Sequence, residues 1–287
     1  MGTSGGQAND NGDAVRPAND DGPADRPLVA VRREGAILRL TLDAPPANAL
    51  SRAMMAELQA AVDLAGSSRE VRVVAIDAPG KLFSAGHDLK ELTAHRADAD
   101  GGAAFYRETF EACAALMTSI VRCPKPVVAI VEGLATAAGC QLVASCDLAL
   151  CTDKAQFATP GVNIGLFCST PMVALSRNVH RKQAMEMLLT GERIDASQAK
   201  AFGLVNRVVP AEYLDVVVEK YLTEIAAKPA RVLKLGKAAF YRQAEMGLDD
   251  AYAYTAEVMV ENMLAPDAEE GIGAFIGKRE PDWSEAD

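Results

Sequence analysis

Hydrophobic positions along the chain alternate between two patterns, one typical of strands and one typical of helices. The segments LVAVRRE and AILRLTLD, separated by a turn at Glu34 and Gly35, predict two strands. Ser51 then precedes apolar positions spaced by three and four residues, as expected for an N-cap followed by a helix with one buried face. Those positions are Met55, Leu58, Val62 and Ala65. The uninterrupted apolar run VRVVAID predicts a strand that is covered on both sides.

The same order of strand and helix recurs through the middle of the chain. A long amphipathic helix is predicted from helical spacing at Tyr106, Phe110, Cys113, Met117 and Ile120. The segments PVVAIVEG and DLALCT then predict two strands, with a helix between them that begins at about Ala137. Such alternation implies parallel strands joined by right-handed crossovers. Beyond Pro171 the pattern is helical except for the short strand LVNRVVP, which predicts a helical cap or assembly surface.

Composition divides the chain into three regions. Residues 1–27 are rich in Gly, Asp, Asn, Ala and Pro, so burial cannot offset the entropy of ordering them, and a disordered tail is predicted. Residues 28–205 carry the alternating strands and helices, and residues 206–287 are mainly helical. A chain of 287 residues with 49% hydrophobic content is long enough to bury a full core.

Charge, cysteine spacing and hydropathy exclude several classes of function. The net charge of −10 argues against general binding to nucleic acids or to membrane surfaces, because both need a basic patch. The six cysteines include no CxxC pair and have no histidine at ligand spacing, so neither a metal site nor a disulfide framework is indicated. The chain lacks a run long enough to span a membrane and a recognisable signal peptide, which predicts a soluble cytoplasmic protein.

Two stretches end a run of small residues at the start of a predicted helix. They are FSAGHDLKE, from Phe83 to Glu91, and GLATAAGCQL, from Gly133 to Leu142. Small residues let a reactive carbonyl approach the main chain, and the first free N–H groups of a helix point towards an oxygen bound there. Two such stretches in one domain predict an oxyanion hole, a pair of N–H donors that stabilises charge developing on a carbonyl oxygen.

These two stretches, together with FATPGVNIGLF, APPANALS and GIGAFIGKR, resemble segments of the enoyl-CoA hydratase/isomerase (crotonase) family. The combination of TAAGCQLVASCD with FATPGVNIGLFCSTP is similar more narrowly to the subgroup called enoyl-CoA hydratase domain-containing protein 3. The resemblance implies an α/β crotonase-like fold, in which ββα units form a spiral and a helical C-terminal region makes homotrimers or homohexamers. It implies that residues 28–205 hold an acyl-CoA or enoyl-CoA thioester as substrate, with no further cofactor.

The resemblance also assigns roles to single residues. The main-chain N–H groups of His87 and Ala138 would be the two donors to the thioester oxygen. Ala138 stands where the family often has Gly, and it remains a donor as long as its φ is negative. The residues implied for the CoA portion are Ala85, Lys90, Phe275 and Lys278, the last two supplied by a neighbouring subunit.

The side chains beside this predicted hole depart from the family pattern. Typical hydratases of the family use two glutamates to hold a water and exchange protons with it, and the matching positions here are Gln141 and Gly161. Gln binds a water without being a base, and Gly has no side chain to offer. Because a positioned acid or base is worth about 10²- to 10⁴-fold in rate, we expect ordinary hydration to be severely impaired.

Four other side chains are alternative proton-transfer or water-binding groups. Ser169 follows Gly161 by eight residues, where some family members carry a catalytic Asp, but it would need a neighbouring base. Cys168 would need a positive group to become a thiolate. A structural role is therefore the favoured interpretation for both. The imidazole of His87 exchanges protons near neutral pH if it faces the ligand, and Asn163 would orient a water or bind its own loop.

Three functions remain open on these observations. The first is an enzyme of the enoyl-CoA hydratase/isomerase class. The second keeps the oxyanion hole and changes the reaction to thioester hydrolysis, isomerisation or decarboxylation of an acyl-CoA. The third is a non-catalytic acyl-CoA binder.

Overall fold

The computed structural model describes residues 26–283, so most of the predicted disordered tail over residues 1–27 lies outside the described residues. The strands are β1 (Val29–Glu34), β2 (Ile37–Leu42), β3 (Val73–Ala78), β4 (Leu82–Ser84), β5 (Val127–Val131), β6 (Leu134–Thr136), β7 (Leu148–Thr152), β8 (Gln156–Ala158), β9 (Ile194–Asp195) and β10 (Arg207–Val209). The helices are α1 (Arg52–Ser67), α2 (Leu89–Ala94), α3 (Ala103–Arg122), α4 (Ala138–Ser145), α5 (Pro171–Asn178), α6 (Arg181–Thr190), α7 (Ala196–Phe202), α8 (Leu214–Ala226), α9 (Ala230–Gln243), α10 (Leu248–Met263) and α11 (Pro266–Gly277). Short 3-10 segments span His95–Ala97, Pro160–Ile164 and Ala211–Tyr213.

The strands form two sheets. The larger sheet has six strands in the order β1-β2-β3-β5-β7-β10, and the smaller has four in the order β4-β6-β8-β9. An antiparallel hairpin joins β1 to β2, and the rest of the larger sheet is parallel. Each of β3, β5 and β7 is followed by a short strand of the smaller sheet and then by helix, which is the predicted repetition of ββα units.

Strand β3 lies at the centre of the larger sheet and is covered on both faces. Val74 and Ile76 pack into the main core, whereas Val73 and Ala75, on the other face, belong to a second cluster that includes residues of α8. Because side chains alternate across a strand, a strand covered on both faces must be apolar at successive positions. The prediction from VRVVAID is therefore confirmed.

Helix α3 buries a different face near its start from the one predicted. Three of the predicted positions are buried as expected, namely Cys113, Met117 and Ile120. Phe110 is instead 39% exposed, and Thr109 occupies the buried position beside it. The ring of Phe110 packs edge-on against the imidazole of His87, with 5.4 Å between the ring centroids, so this turn of α3 contacts the His87 segment rather than the core alone.

Side chains cap the starts of α1 and α2, and the cap at Ser51 is the predicted one. The Ser51 hydroxyl accepts a hydrogen bond from the Met54 N–H at 3.2 Å. The Asp88 carboxylate accepts from the N–H groups of Lys90 and Glu91 at 2.8 and 3.2 Å. Side chains of this type stabilise a helix start because the first N–H groups have no partner inside the helix.

A buried polar cluster joins the C-terminal helices to the core. The Lys237 ammonium on α9 donates to the carbonyl oxygens of Ile120 and Lys125, both at 3.0 Å, and to the Asp147 carboxylate at 2.6 Å. The Tyr241 hydroxyl donates to the same carboxylate at 2.9 Å. Burial raises the pKa of Asp147, while these two donors favour its ionised form. Among residues 26–283, no helix is long and apolar enough to cross a membrane.

Candidate active site

The two small-residue motifs meet where their backbones cross. The first leads from β4 through Gly86 to α2, and the second leads from β6 through Ala137 to α4. A Cβ atom added to Gly86 would lie 2.9 Å from the Ala138 nitrogen and 2.8 Å from the Ala137 Cβ. Gly86 also has a φ of +84°. The crossing therefore requires glycine at this position for both space and conformation.

Two main-chain N–H groups at this crossing, those of His87 and Ala138, have no hydrogen-bond partner in residues 26–283. The N–H groups of Ala85 and Ala137 are used, since they donate to neighbouring carbonyl oxygens at 3.0 and 2.9 Å. Ala138 is the first residue of α4 and its φ is not positive, so its Cβ is compatible with the helix start. The arrangement leaves two free donors beside the positive end of a helix dipole.

Ala137 holds the start of α4 in an uncommon backbone conformation, with φ +52° and ψ −121°. For a non-glycine residue such a conformation costs about 1–3 kcal/mol. Hydrogen bonds at both of its peptide groups hold it: its N–H donates to the Ala158 carbonyl at 2.9 Å, and its carbonyl accepts from the Gln141 N–H at 3.0 Å. The helix predicted from about Ala137 thus begins at Ala138. Strain of this kind is concentrated at functional sites.

Gln141 lies one turn into α4 and is buried. Its side-chain oxygen is 3.8 Å from the Cys113 sulfur of α3, which donates to it. Burial raises the pKa of Cys113 to about 12, so this thiol is protonated at neutral pH. The pair is neutral and supplies neither the base nor the acid that a carboxylate would supply.

The space beside Gly161 is occupied by other atoms of the chain rather than left open. A Cβ atom added to it would lie 2.8 Å from the Leu166 carbonyl oxygen and 3.0 Å from the Cys168 sulfur. The Leu166 N–H also donates to the Gly161 carbonyl at 2.9 Å. The loop over residues 161–168 therefore folds back into the volume that a larger side chain at 161 would need.

The other polar residues of this loop lie in structural or exposed positions. Ser169 is exposed, and its hydroxyl donates to the Phe167 carbonyl at 3.3 Å. Cys168 is buried, and burial raises the pKa of its thiol despite a hydrogen bond from the Gly161 main chain. Asn163 is exposed. Within residues 26–283, the Ser169 hydroxyl makes no hydrogen bond to a base.

The His87 side chain is held on one side by the main chain. Its Nδ1 lies 3.3 Å from the Leu50 carbonyl oxygen. Its Nε2 is buried and has no hydrogen-bond partner in the described part of the chain. Burial lowers the pKa of His87, and the Leu50 carbonyl and the Glu91 carboxylate oppose that shift. The imidazole is therefore neutral at neutral pH.

The residues predicted for the CoA portion fall into two groups. Ala85 is partly buried beside the crossing, and Lys90 is exposed on α2. Phe275 is 85% exposed on α11, and Lys278 follows the end of that helix. Helix α11 packs against α10, and both Phe275 and Lys278 are exposed at the surface. Within residues 26–283, no three His, Cys, Asp or Glu side chains are grouped to hold a metal ion.

Known proteins match this chain over nearly all of the described residues. The sequence model described as enoyl-CoA hydratase/isomerase matches residues 32–286. The chain belongs to this family. A Xenopus laevis relative is 49% identical over 259 residues, covering 90% of this chain and 86% of the relative. A Rattus norvegicus relative is 47% identical over 273 residues, covering 94% and 88%. Both are named enoyl-CoA hydratase domain-containing protein 3, mitochondrial, which confirms the narrower resemblance.

Solved structures of the family have the same fold. An enoyl-CoA hydratase from Mycobacterium smegmatis superposes with a TM-score of 0.85 at 49% identity, covering 90% of this chain and 99% of that structure. The structure of human enoyl-CoA hydratase domain-containing protein 3 also superposes with a TM-score of 0.85, at 47% identity, covering 90% of this chain and 100% of that structure. The prediction of a crotonase-like α/β fold with a helical C-terminal region is confirmed.

The prediction of a cytoplasmic location is wrong. The frog and rat relatives are both named as mitochondrial proteins, as are those of mouse and human. The features behind the prediction are the composition of the N-terminal residues and the hydropathy of the chain, and neither distinguishes the cytoplasm from an organelle.

Proposed function

We propose that this chain binds acyl-CoA thioesters and stabilises an enolate through the N–H groups of His87 and Ala138. The observation that carries the proposal is the pair of donors without partners at the crossing of Gly86 and Ala137. Buried or partly buried N–H groups are nearly always paired, so two free donors side by side indicate a ligand oxygen. Membership of the enoyl-CoA hydratase/isomerase family supports a thioester as that ligand.

The chemistry of such a pair is the stabilisation of negative charge. Charge moves onto the thioester oxygen when a proton leaves the neighbouring carbon or when a nucleophile adds to the double bond. Fixed main-chain donors meet that charge without reorganisation, and removing one donor typically costs about 10²- to 10³-fold in rate. The helix dipole of α4 acts in the same direction.

Water addition is the reaction for which this site is least equipped. Gln141 is neutral, and the volume beside Gly161 is filled by its own loop. Hydration needs a group that takes a proton from water and one that gives a proton to carbon. We therefore propose a hydratase/isomerase-class protein whose hydration of 2-enoyl-CoA is slow.

The filled volume at Gly161 favours a second candidate, an acyl-CoA reaction that needs no carboxylate pair. Isomerisation, decarboxylation and thioester hydrolysis all develop charge on the same oxygen and so use the same two donors. A panel of acyl-CoA esters tests this candidate, because one of them should be consumed faster than crotonyl-CoA. Saturable binding with no product from any ester would favour a non-catalytic binder instead.

Two measurements on the purified full chain test the leading proposal. Calorimetric titration should show saturable binding of butyryl-CoA, and its absence would overturn the proposal. The loss of crotonyl-CoA absorbance should proceed well below about 10 per second, a typical enzyme turnover. Turnover at or above that value would show that the substitutions at Gln141 and Gly161 do not impair hydration.

We further propose that the chain assembles as a homotrimer or homohexamer and that CoA lies near Lys90, with Phe275 and Lys278 added by a neighbouring copy. Large apolar side chains on the C-terminal helices support an assembly surface. Leu264, Phe275 and Ile276 are 81%, 85% and 75% exposed. Sedimentation should therefore give an oligomer, and Phe275→Asp should weaken both the assembly and CoA-ester binding. A monomer with unchanged binding would contradict this.

A further inference from the structure

We propose that the imidazole of His87 is the proton-transfer group of this site, acting through Nε2 on the carbon next to the thioester carbonyl. This inference rests on the proposed binding of an acyl-CoA at the N–H groups of His87 and Ala138. It gives one residue two tasks: its main chain stabilises the charge on oxygen, and its side chain moves the proton that creates that charge.

The contact with Leu50 fixes the tautomer of the ring. A carbonyl oxygen can only accept, so the His87 Nδ1 at 3.3 Å from it must carry the hydrogen. In the neutral ring this leaves a lone pair on Nε2. The Leu50 N–H in turn donates to the Gly86 carbonyl at 2.8 Å. The same short segment therefore positions the ring and the main chain of the predicted oxyanion hole.

The surroundings of Nε2 indicate a missing partner. This nitrogen is buried and makes no hydrogen bond within residues 26–283. A buried acceptor without a partner is unfavourable, because it has lost its hydrogen bonds to water and gained none in return. The apolar ring of Phe110 on α3 packs edge-on against the imidazole and is 39% exposed. For the proposed proton transfer, this side chain must turn outward so that the thioester reaches Nε2.

Burial keeps the His87 ring in the neutral form, which can accept a proton. Burial lowers its pKa, and Glu91 on α2 is the charged group that opposes this, while Leu50 and Phe110 bring no charge. The thiols of Cys113, beside Gln141, and of Cys168, beside Gly161, have raised pKa values and stay protonated. A neutral imidazole is thus available near neutral pH, where protonated thiols and an amide cannot accept a proton.

The step balances without any other reagent. The Nε2 lone pair takes the α-proton, and the electrons of the C–H bond become the double bond of the enolate, whose oxygen is held by the two N–H donors. The imidazolium then returns a proton to carbon. In D₂O the Nε2 proton of the imidazolium first exchanges with the solvent, so a deuteron is returned to carbon. The net result is replacement of the α-proton by a deuteron, with no oxidation or reduction.

The test follows the exchange of the α-protons of butyryl-CoA in D₂O by NMR over a pH range of about 5 to 8. The variant His87→Asn keeps a side-chain N–H that can reach the Leu50 carbonyl but has no base. We expect the exchange rate to fall by about 10²- to 10⁴-fold with butyryl-CoA binding within about threefold of the original. His95→Asn is the matched control, since His95 pairs with Asp98 outside the site, and its exchange should not change.

The pH profile separates a proton-transfer role from a structural one. In the original chain, exchange should rise with pH and level off above a midpoint below about 6.5, because the pKa of His87 is lowered. That rise should be missing from His87→Asn. The role of His87 would be overturned if His87→Asn kept the rise with pH or exchanged within about threefold of the original rate. It would also be overturned if the original chain bound butyryl-CoA without exchanging its α-protons. If butyryl-CoA does not bind at all, the proposed function fails with it.

Discussion

The two sides of the candidate site are built from different parts of the polypeptide. The proposed oxyanion side consists of main-chain N–H groups at the crossing of Gly86 and Ala138, whereas the usual acid–base side consists of side chains, at Gln141 and Gly161. A main-chain donor survives every substitution that keeps the backbone path, except a change to proline. A side-chain role is lost with a single substitution. Family membership is therefore a stronger guide to charge stabilisation than to proton transfer.

The largest effect is expected from Ala138→Pro, which removes one of the two proposed donors. Proline is tolerated at the first position of a helix, and its ring carbon takes the place of the N–H hydrogen, so the change removes the donor and also obstructs the proposed hole. For whichever acyl-CoA ester is consumed, kcat/KM should fall by about 10²- to 10³-fold. Arg181→Pro, at the first position of α6, is the matched control. An unchanged kcat/KM in a folded Ala138→Pro protein would contradict the oxyanion assignment.

A smaller effect is expected from Gly86→Ala, which pushes the two backbones apart. Gly80→Ala is its control, because both glycines have positive φ, +84° and +96°, but only Gly86 has neighbours within 4 Å of an added Cβ. Each substitution should cost about 1–2 kcal/mol for the backbone conformation. Gly86→Ala should cost about 1–3 kcal/mol more from crowding, measured by urea unfolding. Equal losses in the two variants would show that the crossing is loose.

Restoring a carboxylate by Gly161→Glu should not restore hydration. The new side chain would collide with the Leu166 carbonyl and the Cys168 sulfur, so the free energy of unfolding should fall by about 1–3 kcal/mol. Crotonyl-CoA turnover should not rise. Gly236→Glu on α9 is the control, since nothing lies within 4 Å of a Cβ there. A gain in hydratase activity from Gly161→Glu would mean that the loop moves aside readily.

The smallest effect is expected from Ser169→Ala. Its hydroxyl is exposed and bonds only its own loop, so activity should stay within about twofold and stability within about 0.5 kcal/mol. Thermal unfolding and the acyl-CoA assay measure both quantities. A large loss of activity would indicate that Ser169 takes part in proton transfer.

Sequence patterns predict the regular elements of this fold well because their physical causes are local. The strand at Val73–Ala78, the cap at Ser51 and the start of α4 within one residue all follow from nearby residues. The residues that contact the site from other parts of the chain do not follow from local sequence. The Leu50 carbonyl that orients His87 comes from 37 positions earlier, and the backward fold of residues 161–168 has no periodicity to reveal it. Phe110 fits the helical spacing yet packs on His87, because spacing indicates a face and not its neighbour.

The Lys237 ammonium has a consequence for how far the chain can be shortened. It binds the end of α3, the loop before β5 and Asp147 immediately before β7, which lie 117, 112 and 90 residues before it in the chain. A chain truncated before α9 would lose both side-chain donors of the Asp147 carboxylate, Lys237 and Tyr241, so the core should be less stable. The helical region and the ββα core are therefore expected to unfold as one cooperative unit rather than as separable modules.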